Sequence, residues 1–177
     1  KIVYYGDTLH LPYGPRPIEE VRSFAHKIIN YLITEKKADI VGIACNTASS
    51  AVLTENSQKH KIPIYGTVDP ATKKAVNSSK NNKIGVIGTE GTIKSMSYQN
   101  KLNEFNSDLD IYAKACPRFV EFVERGELAG PEVNEYARKC LQPLKKANID
   151  TLILGCTHFP YLLPVIRDII GESVLLI

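Results

Sequence analysis

Short runs of branched apolar residues recur along the chain at Ile2–Tyr5, Ile40–Ala44, Ile62–Tyr65, Lys83–Gly88, Ile111–Ala115, Thr151–Gly155 and Val174–Ile177. Their length and their lack of polar alternation predict strands covered on both faces. Between them the spacing changes. Apolar residues at 21, 24, 25, 28, 29, 32 and 33 trace one stripe over Ile18–Glu35, which predicts an amphipathic helix. Pro17 falls near its first turn, where a missing N–H costs little. Glu132–Lys146 repeats the pattern behind Pro131. Strands alternating with helices predict an α/β fold with largely parallel sheets and right-handed crossovers. The polar run Asn77–Asn82 interrupts the alternation and is the expected boundary between two lobes.

Length and composition narrow the choice. The 177 residues are 44% apolar and 23% charged, enough for a buried core and unlike disordered or fibrous chains. The net charge of +3 comes from 22 basic and 19 acidic residues scattered along the chain, which argues against a reader of nucleic-acid phosphates. The longest uncharged stretch, Thr151–Ile166, is broken by His158, Pro160 and Pro164, so no membrane span is expected. Four cysteines, at 45, 116, 140 and 156, form no CxxC pair. Without a secretory signal they read as free thiols of a cytoplasmic protein, and no metal site is expected. The chain begins at Lys1 and its single Met is Met96, so a trimmed or partial chain is expected.

One internal likeness carries chemistry. Asp39-Ile-Val-Gly-Ile-Ala-Cys45-Asn-Thr parallels Asp150-Thr-Leu-Ile-Leu-Gly-Cys156-Thr-His, 111 residues later. In both, an Asp precedes a buried strand, a Cys follows the last small residue, and polar residues open the next helix. Ligands of open α/β sheets bind beyond the carboxyl ends of the strands. A helix N-terminus there stabilises negative charge and is expected to lower a thiol pKa from about 8.5. Cys45 and Cys156 are therefore candidate bases or nucleophiles, and Asn46, Thr47 and Thr157 add polar groups beside them. A single strand-end cysteine is commonly only a small buried hydrophobe; the repeated context is what argues for function. Cys116 and Cys140 lack it and are expected to be structural. His158, two residues beyond Cys156, is a candidate acid or base. Gly88-Thr89-Glu90-Gly91-Thr92 follows a strand, but its spacing is neither GxGxxG nor a P-loop, so a tight turn and cap explains it as well.

Gly6-Asp-Thr…Leu-Pro-Tyr-Gly14, Ala44-Cys-Asn-Thr-Ala48, Gly85-Val-Ile-Gly-Thr-Glu-Gly-Thr92, Ala115-Cys-Pro…Val-Glu-Arg-Gly126 and Gly155-Cys-Thr-His-Phe-Pro160 resemble the glutamate racemases. These belong to the cofactor-independent aspartate/glutamate racemases. The resemblance spans nearly the whole chain in order. It implies two doubly wound α/β lobes with the active site in the cleft between them, here 1–77 plus 173–177 and 78–172. It also implies interconversion of L- and D-glutamate, supplying D-glutamate for peptidoglycan, with glutamate as the partner, no cofactor and a homodimer left open. Two thiols work on opposite faces of the substrate: Cys45 on the D enantiomer, and Cys156, helped by His158 and Glu124, on the L enantiomer. Substrate contacts map to Pro12, Tyr13, Gly14, Asn46, Thr47, Thr89, Thr92 and Thr157.

Two substitutions depart from the family pattern, Phe159 for a usual Tyr and Asp69 for a frequent Glu. The family's opening Asp-Ser-Gly-x-Gly-Gly strand has no counterpart in the chain, so little activity, or binding alone, is expected of these 177 residues. A racemase of aspartate or a hydantoin, and a cysteine hydrolase using Cys156 with His158, are the alternatives.

Overall fold

The computed structural model describes residues 1–53 and 60–177. The chain is α/β, and among the described residues every strand pairing is parallel. Helix α1 (Ile18–Thr34) turns Val21, Ala25 and Ile29 inward, the stripe predicted from spacing. It packs on α2 (Asn46–Leu53) and on a small sheet of β1 (Val41–Gly42) and β2 (Ile64–Tyr65). Tyr13 closes that core from the preceding loop.

The larger sheet has the order β4-β3-β5-β6, with β3 at Lys83–Gly88, β4 at Asp110–Ala115, β5 at Thr151–Gly155 and β6 at Leu175–Leu176. Its central strands β3 and β5 occupy the predicted spans, because continuous apolar runs suit a sheet covered on both faces. Alternate residues feed opposite cores. Ile84, Val86 and Ile153 meet α3 (Val68–Ser78) and α5 (Ser97–Phe105). Ile87 and Leu152 meet α6 (Arg118–Glu124), α7 (Pro131–Lys146) and α8 (Leu163–Ile170). The short α4 (Glu90–Lys94) follows β3.

Two expectations shift. Ile2–Tyr5 forms no strand: Ile2 is 96% exposed and Tyr4 89%, while Tyr5 lies edge-on to Tyr31. An apolar run becomes a strand only beside a partner for its backbone groups. Residues 175–176 extend the larger sheet beside β5 and do not rejoin the first lobe. Helix α3 packs on the larger sheet as well, its Val68 and Ala75 sharing a core with Ile84 and Tyr98. Cys116 and Cys140, the latter on α7, both lie inside the same core. Phe159 is fully buried there, 5.2 Å from the Phe119 ring.

Candidate active site

The two strand-end cysteines come from different cores and meet across a bridge of hydroxyls. Parallel register sets Gly88 beside Gly155, so the residues that follow, Thr89 and Cys156, are neighbours beyond the sheet's carboxyl edge. Thr89 caps α4, accepting the Thr92 N–H at 3.2 Å. Thr47, in the first turn of α2, stands 2.9 Å from the Thr89 hydroxyl and 3.2 Å from that of Thr92. The Cys45 thiol lies near the hydroxyl and amide of Thr47 and the Ala48 amide, all of which favour its charged form. A path of adjacent groups therefore runs Cys45, Thr47, Thr89, Cys156.

The backbones close the same seam. The Gly91 N–H donates to the Gly14 carbonyl at 2.9 Å. A Cβ on Gly14 would lie 2.8 Å from Thr89 Cβ, and one on Gly91 would lie 3.0 Å from the Gly14 oxygen. Only residues without side chains permit this approach.

Electrostatically the thiols depart from the sequence expectation. Burial pushes Cys45 up, although the helix amides and the Thr47 hydroxyl oppose it. Burial likewise pushes Cys156 up to about 11, opposed by the nearby N–H groups of His158 and Phe159 and with a further rise from negative charge on Cys45. Desolvation outweighs the helix-terminus effect at both sites. Mutual repulsion disfavours ionising the two together.

His158 Nδ1 stands 3.7 Å from the Cys156 sulfur, and its Nε2 lies 2.6 Å from Glu124 Oε1. The structure thus aligns Cys156, His158 and Glu124 across β5 and α6. On the other side, Tyr13 donates to Asp7 at 2.5 Å, and His10 Nδ1 lies 2.8 Å from the same carboxylate. Burial raises the Asp7 pKa, yet these bonds outweigh it and hold the carboxyl below its ordinary value. Burial and the Asp7 carboxylate raise the Tyr13 phenol pKa, and a thiolate at the nearby Cys45 raises it further.

Of the residues singled out from sequence, Asn46, Thr47, Thr89 and Thr92 are buried together, whereas Pro12 and Thr157 are exposed at the rim. Sequence reasoning missed Asp7 and His10, whose Asp-x-x-His-x-x-Tyr spacing was a usable signal. It also missed Thr67 and Tyr98, which have no local signature. Among the described residues no group of three or more His, Cys, Asp or Glu side chains is placed to hold a metal ion, and no helix is long and apolar enough to cross a membrane.

Comparison with known proteins gives a consistent result. The family model described as Asp/Glu/Hydantoin racemase matches residues 1–177. A glutamate racemase of Oceanobacillus iheyensis is 43% identical over 178 residues, covering 100% of this chain. The chain spans 65% of that relative's length. Among solved structures, a glutamate racemase of Bacillus anthracis superposes with a TM-score of 0.90 at 40% identity, over 97% of this chain and 64% of that one. One from Francisella tularensis, in complex with D-glutamate, gives 0.88 at 31% identity, with the same two coverages of 97% and 64%.

Proposed function

Since the chain belongs to the Asp/Glu/Hydantoin racemase family, we propose that it interconverts L- and D-glutamate by two-base proton transfer at Cα, without a cofactor. One thiolate takes the Cα proton while the opposite thiol delivers its own proton to the other face, and the two sulfurs exchange protonation states in each turnover. Inversion requires this pair, because a single base returns its proton to the face it came from. What supports the reading is the meeting of two strand-end thiols, Cys45 and Cys156, through Thr47 and Thr89.

The electrostatics fit the same division of labour. Each thiol is held protonated by burial, and a charge on Cys45 raises Cys156. The positive α-ammonium of a bound amino acid stabilises one thiolate, and repulsion keeps the second sulfur as the acid. In this scheme Cys45 serves the D enantiomer. Cys156, with His158 and Glu124 relaying its proton, serves the L enantiomer. Asn46, Thr47, Thr89, Thr92 and Thr157, with the Pro12-Tyr13-Gly14 loop, hold the substrate. The product is D-glutamate for peptidoglycan, made in the cytoplasm. A thiol hydrolase built on Cys156, His158 and Glu124 would leave Cys45 without a role.

The test is Cα-proton exchange of L- and D-glutamate in D2O, with aspartate as the competing substrate. Cys45→Ala and Cys156→Ala are each expected to lower racemisation by about 10³-fold. Exchange that survives removal of both thiols overturns the mechanism. Faster turnover of aspartate overturns the substrate.

A further inference from the structure

Tyr98 is a fully buried phenol that the two-thiol scheme does not use, and it touches both halves of the site. It lies in the first turn of α5, and a Cβ on Gly155, the residue before Cys156, would meet its ring edge at 3.4 Å. Its hydroxyl donates a short hydrogen bond to Asn46 Oδ1, the residue after Cys45. Thr67, just ahead of α3, donates to that same oxygen at 2.9 Å.

Two hydroxyl donors occupy both lone pairs of the Asn46 carbonyl oxygen. Its amide plane is thereby fixed, and Nδ2–H₂ is left as the outward donor. Among the described residues no hydrogen bond uses Nδ2, and this nitrogen is not sealed from solvent; the sealed, unpaired side-chain atom is Gln99 Oε1. Asn46 therefore presents N–H groups beside Cys45, at the first turn of α2, where backbone amides also face outward. A carboxylate, which only accepts hydrogen bonds, is the complementary group.

We propose that Tyr98 and Thr67 are positioning residues that lock the Asn46 side chain so that its NH₂ group binds a carboxylate of the substrate. The proposal rests on the racemase reading for the identity of that substrate. The clamp is also tertiary: Asn46 belongs to the first core, Tyr98 to the second, and Thr67 to the junction. Substrate held by Asn46 is thus held in register with Cys156, through the ring on Gly155.

Calorimetric titration of the protein with D-glutamate, alongside KM and kcat in both directions, tests this. Tyr98→Phe keeps the ring and Thr67→Val keeps the shape, so the melting temperature should change little. Each is expected to weaken glutamate binding roughly tenfold, the worth of about one oriented hydrogen bond. KM should rise in both directions with a smaller change in kcat. Thr67→Ser, which restores a hydroxyl, should recover most of the affinity lost in Thr67→Val. Binding in Tyr98→Phe and Thr67→Val as tight as in the parent overturns the clamp, as does equal loss in Thr67→Ser and Thr67→Val. A parent protein that binds aspartate in preference to glutamate overturns the glutamate reading and leaves the clamp standing on its binding data. A parent that binds no dicarboxylate overturns both.

Discussion

The two cysteine half-sites share a sequence pattern and differ in almost everything that surrounds it. Cys156 directly follows a five-residue strand buried in the middle of a four-stranded sheet, and it is 6% exposed. Cys45 follows a strand of two residues in a two-stranded sheet and is half-buried. An imidazole backed by a carboxylate stands against Cys156. The Cys45 thiol faces Thr47 and the first amides of α2, and among the described residues no histidine or carboxylate hydrogen-bonds to it. Duplicated local sequence therefore supplies two thiols at matching places, while the helpers come from wherever the chain packs.

For a racemase this asymmetry has a kinetic signature. The equilibrium constant between mirror-image substrates is one, so kcat/KM must be equal in the two directions whatever the helpers do. The difference between half-sites can appear only in kcat and KM separately and in isotope effects. His158→Asn breaks the better-equipped half and should lower kcat/KM about 100-fold, with Glu124→Gln showing a weaker version of the same loss. The deuterium isotope effect should grow more for the direction that removes a proton with Cys156. Equal isotope effects in both directions would mean that His158 does not serve Cys156 selectively.

A second way to probe the comparison is to separate the halves. Gly14→Ala forces a Cβ to 2.8 Å from Thr89 and pries the first core away from the second. Overpacking of this kind is expected to destabilise the fold by about 1–2 kcal/mol, read in urea unfolding, and to lower activity more than a stability loss of that size explains. Unchanged activity would show that the seam does not set the distance between the thiols.

The smallest effect is on stability at high pH. Cys156 is raised in the folded protein, to about 11, above an unfolded value near 8.5. The folded state therefore holds this proton more tightly. The stabilisation is fully present below the unfolded value and is lost as pH climbs towards the folded one. By about pH 9.5 the loss should be about 1 kcal/mol, seen as a falling melting temperature that Cys156→Ala flattens. A slope unchanged in that variant would mean that the thiol is more hydrated than its burial indicates.

Much of this was legible from the sequence by itself. The spans of β3 and β5, the stripe of α1, the pair Cys45 and Cys156 and the neighbouring His158 all follow from periodicity and short-range pattern. Those features are local: strand length, helix spacing and the residues flanking a strand end are written in consecutive positions. Ile2–Tyr5 reads as a strand equally well and is not one, because pairing depends on a neighbour that periodicity does not encode. The place of β6 beside β5, and of α3 on the larger sheet, likewise depends on which faces remain to be covered.

Only the tertiary structure joined Thr47 to Thr89 across 42 positions and Tyr98 to Asn46 across 52. It also reversed the expected direction of the thiol pKa shifts. A helix N-terminus is visible in sequence, but the desolvation that overcomes it is set by how two cores close over the sulfurs. The sequence determined which atoms could do the chemistry. Packing decided their partners, their charge and the seam along which they meet, because hydrogen bonds and burial are properties of space and not of order along the chain.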